Sequence, residues 1–345
     1  MGRCSRGLFF FAVCVASMPE PGDTWAAARA GSAGMAASAG PLDTRAVLPL
    51  LLGDGVAKLS DVRWSHATNS AAQLAKATSV SRPVDFVEAD ILLEKDTGRP
   101  VMAHPPATTS DLSFEAFVER FVELALHPQG SADGTASAAR PLGLKLDFKD
   151  PRAVEPCLRI LSAAVAKTGA AWRHPIWLNA DIFTGPGGNP TKFNANDFLR
   201  QCQAVSLPNV ALSLGWTTGW NLFTCIGMHG YSAAHIDDAL NTLAKLDHPI
   251  AVTWAVRSAI IRQTPAALVR RLTEQQRTLT VWGDAGSSEL QWLALPEVAP
   301  HAFVDITSPA LYLKATWFAQ IAFPLLAGAL IYAFTSRRKL AKVLL

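Results

Sequence analysis

Short apolar runs alternate with amphipathic stretches along residues 58–308 of the chain. Eight of the runs have the length and the β-branched or apolar character of strands, and most are followed by a segment with helical periodicity. Only the connection at residues 94–99 lacks a helical pattern. Strands that alternate with helices predict a parallel sheet, and eight such units over about 250 residues predict an α/β fold, a (β/α)8 TIM-type barrel. The predicted strands cover residues 61–66, 85–93, 100–104, 142–149, 175–183, 209–216, 250–256 and 279–283.

Two alternatives to this arrangement stay open in the sequence. A further apolar run at residues 302–306 is either the true eighth strand or a peripheral one. A doubly wound open sheet is the second choice of fold, but the glycine-rich GxGxxG turn of dinucleotide-binding sheets does not follow the first strand. A closed barrel over residues 58–308 is therefore the prediction.

The N-terminal region has the features of a targeting segment. Arg3 and Arg6 precede an apolar run at residues 8–16, and small residues follow it. This order predicts a secretory signal peptide over residues 1–25, with an organellar transit peptide as the alternative. Residues 26–57 begin with a stretch rich in Ala, Gly and Ser, and we interpret them as a low-complexity spacer.

The C-terminal region has the features of a membrane anchor. Residues 315–334 carry no charge, and at 1.5 Å per residue such a helix spans about 30 Å, the hydrocarbon thickness of a bilayer. We predict a transmembrane helix over residues 313–335 and a basic cytosolic tail over 336–345, which contains Arg337, Arg338 and Lys339. The protein is then a single-pass type I membrane protein with a lumenal or extracellular barrel, and an organellar membrane is the alternative.

Composition and charge exclude some functions. The chain is 50% apolar and 17% charged, and its basic residues are scattered apart from the tail, with a net charge of +3. This distribution lacks the basic patch of a nucleic-acid-binding protein, so we expect no nucleic-acid partner. The five cysteines show no CxxC spacing, which argues against a zinc site built from thiolates.

Polar side chains stand where the predicted strands end. In a parallel barrel all strand carboxyl ends face one rim, so these side chains converge there. Glu88 and Asp90 are two residues apart and share one face of their strand, as do Asp147 and Lys149. The candidates at the rim are His66, Glu88, Asp90, His104, Asp147, Lys149, Asn179, Trp254 and Arg257.

The types of these residues suggest metal-assisted chemistry. The three carboxylates are an oxygen-ligand set suited to a divalent cation, Mg²⁺ or Ca²⁺. Two histidines beside them serve either as nucleophile and general acid or as a base–acid pair. A glycosidase that uses Glu88 and Asp90 is a weaker interpretation, because carboxylates on one strand face chelate rather than flank a sugar bond. We predict His66 and His104 as catalytic, Glu88, Asp90 and Asp147 as metal ligands, and Lys149, Asn179, Trp254 and Arg257 as substrate contacts.

At these residues the sequence resembles the menorin-like proteins, the family with sequence similarity 151. The resemblance lies in seven stretches that follow one another in the family's order between residues 60 and 285. They are VRWSHATNS at 62–70, VEADI at 87–91, MAHPP at 102–106, GLKLDFK at 143–149, IWLNADI at 176–182, LGWT at 214–217 and TWAVR at 253–257.

That family is in turn similar to the phospholipase C-like phosphodiesterases, which include glycerophosphodiester phosphodiesterases and spider-venom phospholipase D enzymes. The resemblance implies acid/base roles for His66 and His104, and anion binding by Lys149. It also implies metal ligation by the three carboxylates named above. The chain departs from the pattern at Ala67, where the phosphodiesterases usually carry Arg.

Two functional hypotheses follow from the residues and the resemblance. The first is a membrane-tethered, metal-dependent phosphodiesterase-like protein that acts on a phosphodiester, such as that of a lipid. The second is a catalytically inactive extracellular adhesion or recognition module of the menorin type, with extracellular protein partners.

Overall fold

Eight parallel strands direct their side chains alternately into a common interior and outward against surrounding helices in a computed structural model of the protein. The structure describes residues 44–47, 58–79, 84–127, 141–219, 229–284 and 286–307. The parallel strands are β1 (Trp64–Ser65), β2 (Phe86–Leu93), β4 (Gly143–Phe148), β5 (Ile176–Thr184), β6 (Val210–Thr217), β7 (Ala251–Arg257), β8 (Thr278–Asp284) and β9 (Ala302–Thr307). The remaining strand, β3 (Pro100–Met102), pairs antiparallel with β2.

The parallel strands follow one another in space in the order of the chain, from β1 and β2 through β4 to β9. The first and last of them approach each other at the histidine that follows β1, because His66 Nδ1 lies 3.0 Å from Asp305 Oδ1 of β9. The fold is therefore a nearly closed barrel of the TIM type, as the sequence predicts.

Helices occupy most of the connections between the parallel strands. Ser113 is the N-cap of the second helix, because its hydroxyl accepts a hydrogen bond of 3.1 Å from the Ala116 N–H. The helices are α1 (Ala71–Ala77), α2 (Phe114–Leu126), α3 (Val154–Thr168), α4 (Ala195–Gln203), α5 (Ala233–Leu243), α6 (Ser258–Ile261), α7 (Ala266–Thr273) and α8 (Ser287–Leu293).

The structure corrects the predicted third and eighth barrel strands. Residues 100–104 do not form a barrel strand, because β3 turns back on β2 as a hairpin, with Ile91 opposite Met102 and Leu93 opposite Pro100. The run at 302–306 is the eighth barrel strand instead, paired parallel with β8. The hairpin also explains why residues 94–99 form no helix, because two antiparallel strands that are neighbours need only a tight turn between them.

Aromatic rings fill the lower part of the barrel, at the amino ends of the strands. Phe86 and Trp177 have ring centroids 4.5 Å apart, Phe303 lies 4.8 Å from Trp177, and Trp64 lies 4.7 Å from Phe86. The 3-10 turn Leu59–Asp61 lies where the sequence predicts the start of the first strand, and Leu59 joins this cluster. This packing leaves the upper part of the interior for polar groups.

Several predicted segments lie outside the described residues. They are the signal peptide at 1–25, the transmembrane helix at 313–335 and the tail at 336–345. Within the described part of the chain, no helix has the length and apolar character needed to cross a membrane. Of the predicted spacer, residues 44–47 are described, and the Thr44 hydroxyl lies 2.6 Å from that of Thr278 on β8.

Candidate active site

A cavity of about 480 Å³ opens at the carboxyl ends of the barrel strands. The strands position its lining because alternate residues face inward and adjacent strands are in register. Asp90 pairs with Asp147, and Asp147 pairs with Asn179. Seven of the nine predicted site residues line this cavity: His66, Glu88, Asp90, His104, Asp147, Lys149 and Asn179.

The three predicted metal ligands form one cluster. Glu88, Asp90 and Asp147 each offer a carboxylate oxygen, and these oxygens all lie within 4.8 Å of one another. Among the described residues, buried Asp147 Oδ1 has no hydrogen-bond partner, so one oxygen of the cluster is unsatisfied. The cluster also has a cation of its own, since Lys149 Nζ lies 2.6 Å from Asp147 Oδ2 and 3.1 Å from Asp90 Oδ1.

The pKa values of the two carboxylates on β2 are shifted in opposite directions. Burial, reinforced by Asp90 and opposed by His66, raises the pKa of Glu88 to about 7. Burial acts the same way on Asp90, but Lys149 and the hydrogen bond from Asn69 outweigh it and lower its pKa. Asn69 Nδ2 donates to Asp90 Oδ2 at 2.7 Å, and the Asp90 N–H donates to Asn69 Oδ1 at 2.9 Å.

Buried acids hold His66 at the end of β1. Its Nδ1 lies 3.0 and 3.1 Å from the two oxygens of Asp305 and 3.5 Å from Glu88 Oε2. Burial alone lowers the pKa of His66, but the hydrogen bond to Asp305 and the charge of Glu88 raise it to about 9. The next residue, Ala67, has left-handed backbone (φ 51°), and its N–H donates to Glu88 Oε2 at 2.6 Å. Within the described part of the chain, the contacts of the His66 ring with acids are all made by Nδ1 and not by Nε2.

His104 reaches the cavity by way of the hairpin. Strand β3 runs back along β2 to the level of the metal cluster, where the Ala103 N–H donates to the Asp90 carbonyl at 2.9 Å. His104 is exposed, and its Nδ1 lies 2.6 Å from the Pro105 carbonyl oxygen. A carbonyl only accepts, so Nδ1 carries the proton and Nε2 is free when the ring is neutral.

A buried ion pair supports the site from below. Lys145 Nζ lies 3.4 Å from Asp305 Oδ2 and 5.8 Å from the centroid of the Trp64 ring. Burial lowers the pKa of Lys145, but Asp305 and Glu88 outweigh it, so the net shift is upward. Burial raises the pKa of Asp305, whereas Lys145 and His66 outweigh it and lower that pKa. The pair is therefore charged, and it orients the carboxylate that holds His66.

The four predicted substrate contacts have different surroundings. Asn179 lines the cavity and accepts a hydrogen bond of 2.6 Å from Ser213, and Lys149 lines it within its two ion pairs. Trp254 is fully buried and does not line the cavity, and its Nε1 donates to the Leu272 carbonyl at 2.8 Å. Arg257 does not line the cavity, and its guanidinium donates to the Gly219 carbonyl at 3.1 Å.

Four further residues of the site were given no role in the prediction from the sequence. Asp305 and Lys145 form the pair below His66, Asn69 holds Asp90, and Asp181 lines the cavity wall. Asp305 had a signal in the sequence, a lone carboxylate inside the apolar run at 302–306. Asp181 had one as well, two residues beyond Asn179 on the same strand face.

The fold and the site define a class of protein, a (β/α)8 barrel with two histidines and a three-carboxylate cluster at its carboxyl-terminal rim. Comparison with known proteins identifies the family. The Menorin N-terminal domain family matches residues 58–302. Protein FAM151B of Homo sapiens is 32% identical over 227 residues, which cover 65% of this chain and 72% of the relative. The chain belongs to the menorin family.

Two solved structures with related architecture are glycerophosphodiester phosphodiesterases. The one from Parabacteroides distasonis is 11% identical, with a TM-score of 0.39 over 80% of this chain and 92% of its own. The one from Agrobacterium tumefaciens is 10% identical, with a TM-score of 0.35 over 72% of this chain and 97% of its own.

Proposed function

We propose that the protein is a divalent-metal-dependent phosphodiesterase that acts on a phosphodiester, with a lipid phosphodiester as one candidate. The observation that carries this proposal is that two histidines and three clustered carboxylates line the same cavity. Nδ1 of each histidine lies within hydrogen-bond distance of a protein oxygen. Such a site combines proton transfer with a place for a cation beside a phosphate.

The residues of the cluster fit a hard divalent cation. Glu88, Asp90 and Asp147 supply only oxygen donors, the type that Mg²⁺ and Ca²⁺ prefer, and Asp147 Oδ1 lacks a partner among the described residues. Lys149 balances one of the three negative charges, which leaves two. When bound, Mg²⁺ or Ca²⁺ supplies positive charge that stabilises negative charge on non-bridging phosphate oxygens.

The surroundings of the two histidines assign them different tasks. His66, with a pKa of about 9, carries a proton at neutral pH and is suited to protonate the leaving oxygen. His104 is exposed at the mouth and presents Nε2 as the base that takes a proton from water. The water oxygen then bonds to phosphorus, the bond from phosphorus to the leaving oxygen breaks, and His66 gives that oxygen its proton.

The experiment is a turnover assay on the purified full-length protein with Mg²⁺ or Ca²⁺. Glycerophosphodiesters, lysophospholipids and sphingomyelin are the substrates. His66→Ala and His104→Ala are each expected to lower the rate by at least about 100-fold, because positioned proton transfer is worth about 10²–10⁴-fold. The double variant should be little worse than the worse single one, since groups that act as a unit are not additive. His248→Ala, on the exposed surface, is the control.

A second candidate function is a recognition module without turnover. The observations that favour it are Ala67, in place of the arginine that phosphodiesterases carry, and the engagement of Lys149 with two carboxylates. Absence of turnover by the unmutated protein on all three substrate classes, with metal present, would favour the module. In either case we propose a single-pass type I membrane protein, on the basis of the uncharged segment at 315–334 and its basic tail.

A further inference from the structure

Asp181 stands apart from the other carboxylates of the cavity. Four carboxylates of the described residues line it, and three of them form the metal cluster. Asp181 is the fourth, on the inward face of β5 two residues beyond Asn179. Neither the metal cluster nor the histidine pair uses it, so its place in the wall needs another explanation.

The neighbouring strand shows where this carboxylate points. Asp181 is in register with Gly215 on β6, and a Cβ at Gly215 would lie 2.3 Å from Asp181 Oδ1. Only glycine leaves this space, and a glycine inside a strand commonly marks such a close approach. The carboxylate therefore leans over β6. The metal ligand Asp147 lies on β4, the opposite neighbour of β5, so Oδ1 of Asp181 lies on the β6 side of its strand.

The wall of the cavity continues from Asp181 around the barrel to β7 and β8. Gly215 is in register with Ala255 on β7, so the two strand positions beside Asp181 carry a glycine and an alanine. Beyond them Trp282 on β8 lines the cavity as well. This part of the cavity wall thus has a carboxylate on β5, an indole on β8 and small residues on the two strands between them.

The carboxylate itself has no partner in the described part of the chain. Thr191 donates to the backbone carbonyl of Asp181 at 2.5 Å, but the side chain has no hydrogen bond and no ion pair to a described residue. The nearby charge of Lys149 is directed to Asp90 and Asp147. A carboxylate that faces the cavity without a protein donor is available to a donor group of a ligand.

We infer that Asp181, Gly215, Ala255 and Trp282 form a subsite for the alcohol portion of the ligand, and that Asp181 accepts a hydrogen bond from a hydroxyl or ammonium group there. The inference rests on the proposed function, because it places the phosphate at the metal cluster and histidines. It narrows the substrate class to phosphodiesters whose alcohol carries a free donor, and it makes Asp181 a specificity-determining residue.

The test compares three phosphomonoesters that differ in the donor they carry. Propyl phosphate has no donor on its alcohol portion, glycerol 3-phosphate has hydroxyls, and phosphoethanolamine has an ammonium group. Their affinities for the full-length protein with Mg²⁺ are measured by calorimetry. A hydrogen bond to a charged group predicts that the matching donor ligand binds about tenfold or more tightly than propyl phosphate. Which of the two donor ligands gains shows whether the donor is a hydroxyl or an ammonium.

Asp181→Leu, of similar size and without an acceptor, should abolish this preference, because the contact with the donor is lost. Asp181→Asn keeps an acceptor and should retain a preference for hydroxyls. Gly215→Ala should act like Asp181→Leu, because its methyl group takes the space of Oδ1. Asp238→Asn, exposed on α5, is the control for charge.

Two outcomes separate this inference from the proposed function. If propyl phosphate binds and the donors gain nothing, or if Asp181→Leu weakens all three ligands equally, the subsite is wrong while phosphate binding stands. If none of the three phosphates binds the unmutated protein with metal present, the proposed function is contradicted, and the subsite with it.

Discussion

The buried ion pair of Lys145 and Asp305 gives a sharp prediction for stability. Both side chains are at most 3% exposed, and Nζ lies 3.4 Å from Oδ2. Asp305→Asn keeps the shape of the side chain but leaves the Lys145 ammonium inside the barrel without its ion-pair partner. Removal of one partner from a buried pair costs about 3–5 kcal/mol of unfolding free energy.

Deprotonation of the lysine sets an upper limit to that cost. To become neutral at pH 7, Lys145 must give up a proton that it binds with an ordinary pKa of 10.5. At about 1.4 kcal/mol per pKa unit this amounts to about 5 kcal/mol. Glu88 remains nearby as a second negative charge, so we expect a cost of about 3 kcal/mol for Asp305→Asn.

The matched variant is Lys145→Met, which fills a similar volume with a flexible apolar chain. It should cost less, about 1–2 kcal/mol, because Asp305 keeps His66 as its cationic partner. The double variant should be more stable than the sum of the single effects predicts, by at least about 1.5 kcal/mol. The measurement is urea unfolding, with midpoints compared at unchanged slope. The charged pair would be refuted if the two changes in unfolding free energy were additive, or if Asp305→Asn lowered the unfolding free energy by less than about 1 kcal/mol.

Three further predictions test other parts of the molecule. Mg²⁺ or Ca²⁺ at 100 times its Kd should stabilise the protein against thermal unfolding by about 2.7 kcal/mol. The Asp90→Asn variant should lose this gain in stability, and the control variant Asp238→Asn should keep it. Burial lowers the pKa of His174 to about 4 in the folded protein. The folded protein therefore binds this proton less well than the unfolded chain does, so the free energy of unfolding should fall by up to about 3 kcal/mol as the pH drops from 6.5 through 4. Urea unfolding across this range should show a flatter profile for His174→Gln. Truncation before Lys314 should release the protein from membranes, and extraction of the full chain by alkaline carbonate would contradict the anchor.

The sequence predicted the barrel, but it assigned one strand wrongly. Residues 100–104 and 302–306 have the same apolar character, and composition does not distinguish a hairpin strand from a barrel strand. The absence of a helix at 94–99 was the available signal, because a parallel crossover needs a dozen or more residues and a hairpin does not. His104 still lies at the rim, since β3 runs back along β2 to the level of Asp90.

Site residues could be predicted from the sequence where polar residues interrupt an apolar strand. They could not be predicted where the direction of a side chain decides whether it faces the cavity. On β2 the alternation of Glu88 and Asp90 with apolar residues shows which face is inward. On β7 both faces are buried, so the pattern does not show that Thr253 faces inward and Trp254 outward. The contact of Asp305 with His66 joins the two ends of the barrel, and no local pattern encodes a pairing that only closure creates.

The charges of the interior favour a divalent cation more strongly than the ligand cluster alone does. Five carboxylates share the upper barrel with three basic side chains, so two negative charges remain when all eight groups are ionised. The raised pKa values of Glu88 and Asp181, each about 7 and each due mainly to burial, show that protonation is one way to relieve this excess. A divalent cation relieves it without protons, because a bound metal ion keeps the acids around it ionised. The groups are Glu88, Asp90, Asp147, Asp181 and Asp305 against His66, Lys145 and Lys149.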